Sequence, residues 1–82
     1  MTNAISFSTA AFVQLRSIRR IYGAEGGQLY NAIIACLNGE LDCPMRKVRG
    51  GKTRITIGDY RAIVRETADG IEVLRVYRVA AR

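Results

Sequence analysis

At Gly50-Gly51 the hydrophobic period of this chain changes from helical to alternating, and that change constrains the fold more than any other feature. From residue 9 to residue 37 apolar residues recur every three or four positions, as along one side of a helix; beyond Gly51 they alternate, as along one side of a strand. A run of helix followed by a run of strands is the mark of an α+β domain.

Ala4-Ile5-Ser6-Phe7-Ser8 alternates first and predicts a short strand with Ile5 and Phe7 on one side. Ser8 or Thr9 then caps a helix whose inward stripe is Ala11, Leu15, Ile18 and Tyr22, with Phe12 beside them. Three glycines in Gly23-Ala24-Glu25-Gly26-Gly27 predict a connector. A second helix runs from Gln28, with Leu29, Tyr30, Ile33, Ile34 and Leu37 apolar, and ends at Asn38-Gly39. Leu41 to Gly51 holds the single proline, Pro44, and the cations Arg46, Lys47 and Arg49, and reads as an exposed basic loop. Beyond it Lys52–Ile57, Tyr60–Thr67 and Ile71–Val79 alternate, separated by Gly58-Asp59 and by the hairpin signal Asp69-Gly70. The expected fold is α+β, with element order β-α-α-β-β-β, an antiparallel sheet and a helical hairpin packed on one face.

With 82 residues the chain supports one core, so residues 1–82 are read as a single domain. A chain this short buries only about 60–65% of its unfolded surface, and a bound partner would add appreciably to its stability. An apolar fraction of 49% is enough for folding. The longest mostly apolar stretch, Ala32–Leu37, falls far short of the roughly 20 residues of a membrane-spanning helix. The amino terminus lacks the basic start and apolar run of a secretory signal, so a cytoplasmic location is expected. Cys36 and Cys43 occur without histidine or a Cys-x-x-Cys pattern, which leaves no metal set; two reduced thiols are expected, and no cofactor is implied.

Charge is unevenly placed. Residues 1–45 balance three arginines against three acids, whereas residues 46–82 carry ten Lys or Arg against four acids, which holds the whole net charge of +6. Such an asymmetry favours a polyanionic partner, although a merely soluble sheet surface also carries charge. Strand alternation says where the cations go. If Ile55 and Ile57 face the helices, Lys52 and Arg54 face away; if Tyr60, Ala62 and Val64 are inward, Arg61 and Arg65 are outward. In the last strand both Leu74/Val76 and Ile71/Val73 are apolar; with Leu74 and Val76 inward, Arg75 and Tyr77 face outward and Arg78 turns inward. Lys52, Arg54, Arg61, Arg65 and Arg75 would then share one helix-free face, with Arg46, Lys47 and Arg49 at its rim.

The stretch from Lys52 to Val64, with its Gly58-Asp59-Tyr60-Arg61 step, and the strand Ile71-Glu72-Val73-Leu74-Arg75-Val76-Tyr77-Arg78 resemble the core signature of the RelE/ParE toxin superfamily. The helical hairpin and Gly50-Gly51 extend the likeness over nearly the whole chain. The resemblance implies the toxin of a type II toxin–antitoxin module, with a cognate antitoxin as partner. RelE-like members cut mRNA in the ribosome, and ParE-like members on the same scaffold inhibit DNA gyrase. The positions matching the basic cleavage residues are Lys52, Arg54, Arg61 and Arg78; Arg46, Lys47, Arg49, Arg65 and Arg75 would hold the nucleic acid. RelE-like chains usually carry a further tyrosine past the last strand; here Val79-Ala80-Ala81-Arg82 follows, and Tyr77 is the candidate to stand in.

These residue types suit the chemistry. Attack of an RNA 2′-hydroxyl on its phosphate builds negative charge, which fixed Arg and Lys donors stabilise more in the transition state than in the ground state. A lysine crowded by other cations gives up its proton more readily, which makes Lys52 the candidate base in a chain without histidine.

Overall fold

The computed structural model describes residues 4–79; Met1–Asn3 and Ala80–Arg82, both used in the readings above, lie outside the described residues. Strand β1 (Ala4–Phe7) leads into helix α1 (Thr9–Tyr22) through Ser8. The Ser8 hydroxyl oxygen accepts from the Ala11 N–H at 3.0 Å, and its O–H donates to the Leu74 carbonyl at 2.8 Å. One side chain thereby satisfies an orphan helix donor and ties the start of the helix to the sheet. Ala11, Leu15 and Ile18 form the buried stripe of α1, as their spacing predicts, whereas Tyr22, the fourth expected member, is exposed at the end of the helix.

Helix α2 (Ala24–Leu37) starts immediately after Gly23, so the expected five-residue connector reduces to one residue. Of the three glycines there, only Gly23 has a positive φ, 66°. Gly26 and Gly27 lie inside the helix, where each costs about 0.8–1.0 kcal/mol relative to alanine. At Gly26 packing supplies the reason: a Cβ would stand 2.5 Å from the Arg19 Cα, because the two helices meet there backbone to backbone. Gly27 has no atom within 4 Å of its would-be Cβ.

The sheet has five strands and not four. The supposed basic loop contains β2 (Met45–Val48), which pairs antiparallel with β3 (Lys52–Ile57). Its four residues show no alternation of their own. The chain reverses at Gly50 and Gly51, whose φ values of 75° and 71° suit glycine. β4 (Tyr60–Thr67) and β5 (Gly70–Arg78) complete the order β1-β5-β4-β3-β2. The sheet is mixed where an antiparallel one was expected, because β1 runs parallel to β5. Strands joined by tight turns must be antiparallel; β1 and β5 are separated by most of the chain, so no turn dictates their direction.

β5 also departs from strict alternation. Ile63 pairs with Arg75 and Val64 with Val73, which leaves Leu74 as the extra residue of a bulge. Val73 and Val76 are therefore both inward, at 0% and 1% exposure, and the expected Leu74/Val76 pair is corrected to Val73/Val76. Backbone groups freed by the bulge are satisfied from α1 and its cap. Gln14 Oε1 accepts from the Val76 N–H at 2.6 Å, and the Ser8 O–H donates to the carbonyl of the bulged Leu74 at 2.8 Å.

Both helices pack on one face of the sheet. Ala11, Leu15, Ile18, Leu29, Ile33 and Cys36 meet Ile55, Tyr60, Ala62, Val64, Val73 and Val76 in a single core. Cys36 and Cys43, expected as reduced thiols, form a disulfide joining the end of α2 to the approach to β2. The fold brings them within reach, with Cα atoms 6.0 Å apart, across the Asn38–Asp42 connection. Among the described residues no helix is long and apolar enough to cross a membrane.

Candidate nucleic-acid interface

Directly paired residues of neighbouring strands share a face, so the register assigns every cation. Ile55, Ala62 and Val76 form one cross-strand row against the helices. The next row, Arg54, Ile63 and Arg75, lies on the opposite, bare face. So do Thr56, Arg61 and Tyr77, and so do Lys52, Arg65 and Glu72. β2 adds Arg46, which pairs with Arg54. Lys47 pairs with Thr53 and points to the helix side, and Arg49 sits in the turn at the sheet's rim.

Bonding differs among these cations. Arg65 is engaged with Glu72 at 3.0 Å. Arg61 Nη1 donates to the carbonyls of Gly58 at 3.0 Å and Tyr60 at 2.8 Å, which fixes the guanidinium beside the β3–β4 turn and leaves Nε and Nη2 for another acceptor. The Arg75 guanidinium lies 5.5 Å from the centroid of the Tyr77 ring. Lys52, Arg54 and Arg46 make no ion pair among the described residues. Half-buried Arg54 thus lies between exposed Arg46 and Arg75, with half-buried Arg61 and Tyr77 in the row on one side and half-buried Lys52 in the row on the other, where Glu72 is the acid of these rows. Such an arrangement attracts a polyanion and offers one aromatic ring for stacking.

Arg78 does not join them. It pairs with Tyr60 on the helix side, two residues beyond inward Val76, as alternation requires. Its guanidinium lies 4.8 Å from the Tyr22 ring centroid and 5.9 Å from that of Tyr60, and Nη2 is 3.5 Å from Asp59 Oδ2. Burial disfavours its charge, but Tyr22, Tyr60 and Asp59 outweigh that and hold its pKa above the ordinary arginine range. The Tyr60 hydroxyl donates to Glu25 Oε1 at 2.6 Å; burial, and then this bond to a carboxylate, raise its pKa above the usual value of 10.0. Tyr22 as a neighbour of Arg78 and Glu25 as the acceptor for Tyr60 were not foreseen, since nothing in the sequence pattern links α1, the start of α2 and the end of β5.

Neither a family model nor a curated protein matches the chain. Solved structures do. A chain of the Escherichia coli DinJ–YafQ toxin–antitoxin complex aligns with 95% of this chain and 93% of its own at a TM-score of 0.71, with 14% identity. One of the RelBE2 toxin–antitoxin complex from Mycobacterium tuberculosis aligns over 95% and 99% at 0.70, with 21% identity. The RelB–RelE complex of Methanococcus jannaschii gives 89% and 88% at 0.61, with 22% identity. With two helices on one face of a five-stranded mixed sheet, and these likenesses over nearly its whole length, the chain has the fold of RelE-like toxins.

Proposed function

We propose that this protein is the toxin of a type II toxin–antitoxin pair and acts as a ribosome-dependent mRNA endoribonuclease through its bare sheet face. The observation that supports this most is the convergence of Lys52, Arg54 and Arg61, from two adjacent strands, beside Tyr77 on a surface that the helices leave open. In this reading the RNA 2′-oxygen attacks the adjacent phosphorus and the bond to the 5′-oxygen breaks, that oxygen taking a proton from water, which leaves a cyclic phosphate and a 5′-hydroxyl. The free Nε and Nη2 edge of Arg61 matches two phosphate oxygens and stabilises the charge that develops there. Arg54 lies one cross-strand row away and adds to that field, and Lys52, in the row beyond Arg54, is the base assigned to the 2′-hydroxyl. Tyr77 stacks a base, while Arg46, Arg65 and Arg75 hold flanking phosphates. Arg78 acts at a distance: it braces Asp59 and Tyr60, whose turn carries the carbonyls that orient Arg61.

The test is expression of the protein in a translating extract, with cleavage sites mapped on mRNA. Codon-phased cuts are expected, and the double variant Lys52→Ala/Arg61→Ala should remove them at unchanged thermal stability. Cuts that persist in that variant would refute the mechanism.

A second reading, a non-catalytic inhibitor of DNA gyrase, is favoured by one observation: Arg78, the fourth cation of the cleavage set implied by the resemblance, lies on the far side of the sheet from Arg61. Loss of supercoiling activity by purified gyrase in the presence of the protein, with no mRNA cleavage, would select it.

A further inference from the structure

The Cys36–Cys43 disulfide is not needed to close the loop that it spans. The Ala35 carbonyl accepts from the N–H groups of Glu40 at 2.8 Å and Leu41 at 3.2 Å, and the Cys36 carbonyl accepts from that of Gly39 at 3.2 Å, so backbone bonds already turn the chain there. What the bond adds lies beyond the loop. Cys43 stands two residues before β2, and the side chains of that strand anchor it weakly: Met45, Arg46 and Lys47 are exposed and Val48 is half-buried. Leu41, the apolar residue of the connection, is exposed as well. Besides the ladder with β3, the approach to β2 is tied by a backbone bond from the Thr56 N–H to the Pro44 carbonyl at 2.9 Å.

Charge opposes the pairing. Arg46 lies directly opposite Arg54, and like charges in opposed positions of an antiparallel pair are destabilising. An edge strand without buried side chains and with a repulsive pair needs an anchor, and the disulfide supplies it by joining Cys43 to Cys36, which is 3% exposed in the core. The same strand brings Arg46 to the row of Arg54 and Arg75 on the bare face. Cys43 is half-buried and is the more accessible sulfur of the pair. Cys36, once reduced, remains a small apolar residue of the core, so the fold survives loss of the bond.

We infer that the Cys36–Cys43 pair is a thiol–disulfide switch on the basic sheet face: oxidised, it docks β2 and presents Arg46 to RNA; reduced, it releases β2 and withdraws that cation. The inference rests on the reading of the sheet face as an RNA-binding surface. The reductant is a low-molecular-weight thiol. Its thiolate attacks Cys43 Sγ, the bond to Cys36 Sγ breaks, and Cys36 leaves as a thiolate that takes a proton. A second thiol attacks the mixed disulfide, frees Cys43 as a thiol and leaves as the small-molecule disulfide, so two electrons pass to the protein. In the cytoplasmic location expected from the sequence, such bonds are more often transient and redox-sensing than structural. RNA must act back on the switch, because a ligand that binds the oxidised form more tightly favours oxidation by the same factor.

The test compares oxidised and reduced protein, poised with glutathione and its disulfide, by binding of a labelled single-stranded RNA and by amide hydrogen exchange. Reduction should speed exchange at Thr56 and in β2 while β4 and β5 stay protected. It should weaken RNA binding by about threefold, and make the log–log salt slope shallower by about 0.7. Saturating RNA should raise the ratio of squared glutathione to its disulfide at half-reduction by the same factor as the affinity difference. Cys43→Ser, which leaves Cys36 in the core, should match the reduced protein under both conditions. Arg46→Ala should abolish the redox effect on RNA affinity yet keep the effect on exchange, and Arg75→Ala should weaken both forms alike. Equal exchange at Thr56 in the two forms, or equal RNA affinity with binding intact, would overturn the inference. Absence of RNA binding in both forms would refute the sheet-face reading and this consequence with it, whereas unequal exchange at Thr56 would still show that the bond holds β2.

Discussion

Arg61 and Arg78 lie on neighbouring strands of one sheet and have opposite fates. On the bare face Arg61 is held by two turn carbonyls and keeps a free edge; on the covered face Arg78 is enclosed by Tyr22 and Tyr60 and reaches Asp59. Residue type is the same and strand parity decides the difference, because Tyr77 faces Arg61 and its neighbour Arg78 faces Tyr60. A cation on the bare face is available to a ligand. A cation on the covered face is part of what holds the turn and the helices together.

That contrast can be broken most severely through the core. Ile33 is fully buried under the covered face, and Ile33→Ala should cost about 2–5 kcal/mol in denaturant unfolding, whereas Arg75→Ala on the bare face should stay within about 0.5 kcal/mol. The next effect separates the two arginines directly. Arg78→Ala should lower the Tm measurably, while Arg61→Ala should leave it nearly unchanged and instead weaken binding of a single-stranded RNA. The salt dependence of that RNA binding should become shallower by about 0.7 in the log–log slope for each phosphate contact removed. Equal Tm losses in both variants would show that the two faces do not divide the work in this way.

The smallest effect is alkaline. Tyr60 binds its proton more tightly when folded than when unfolded, so its contribution to stability is complete below pH 10.0 and is lost as pH rises through its higher folded value. Unfolding free energy should therefore fall more steeply above that pH in the native protein than in Tyr60→Phe. Parallel curves would show that burial and the bond to Glu25 do not act on this hydroxyl as described.

Much of this was legible in the chain. The stripe Ala11, Leu15, Ile18 follows from its spacing, and Lys52, Arg54, Arg61, Arg65 and Arg75 reach one face because Ile55, Ala62 and Val64 must reach the other. What escaped was nonlocal. β2 has no pattern of its own and exists because β3 offers an edge; the β5 bulge is stabilised by Ser8 and Gln14 from the other end of the chain; Gly26 reads as a helix breaker until Arg19 is beside it.

Sequence alone therefore determined the α+β class, the helical hairpin and the face on which most of the cations stand, since each follows from the period of a local segment and from the need to bury its apolar side. Tertiary structure decided the parallel pairing of β1, the placing of the Tyr22 ring against Arg78, the Cys36–Cys43 bond and the open groove at Gly27. Each of these depends on which distant backbone comes close, and no local period carries that information.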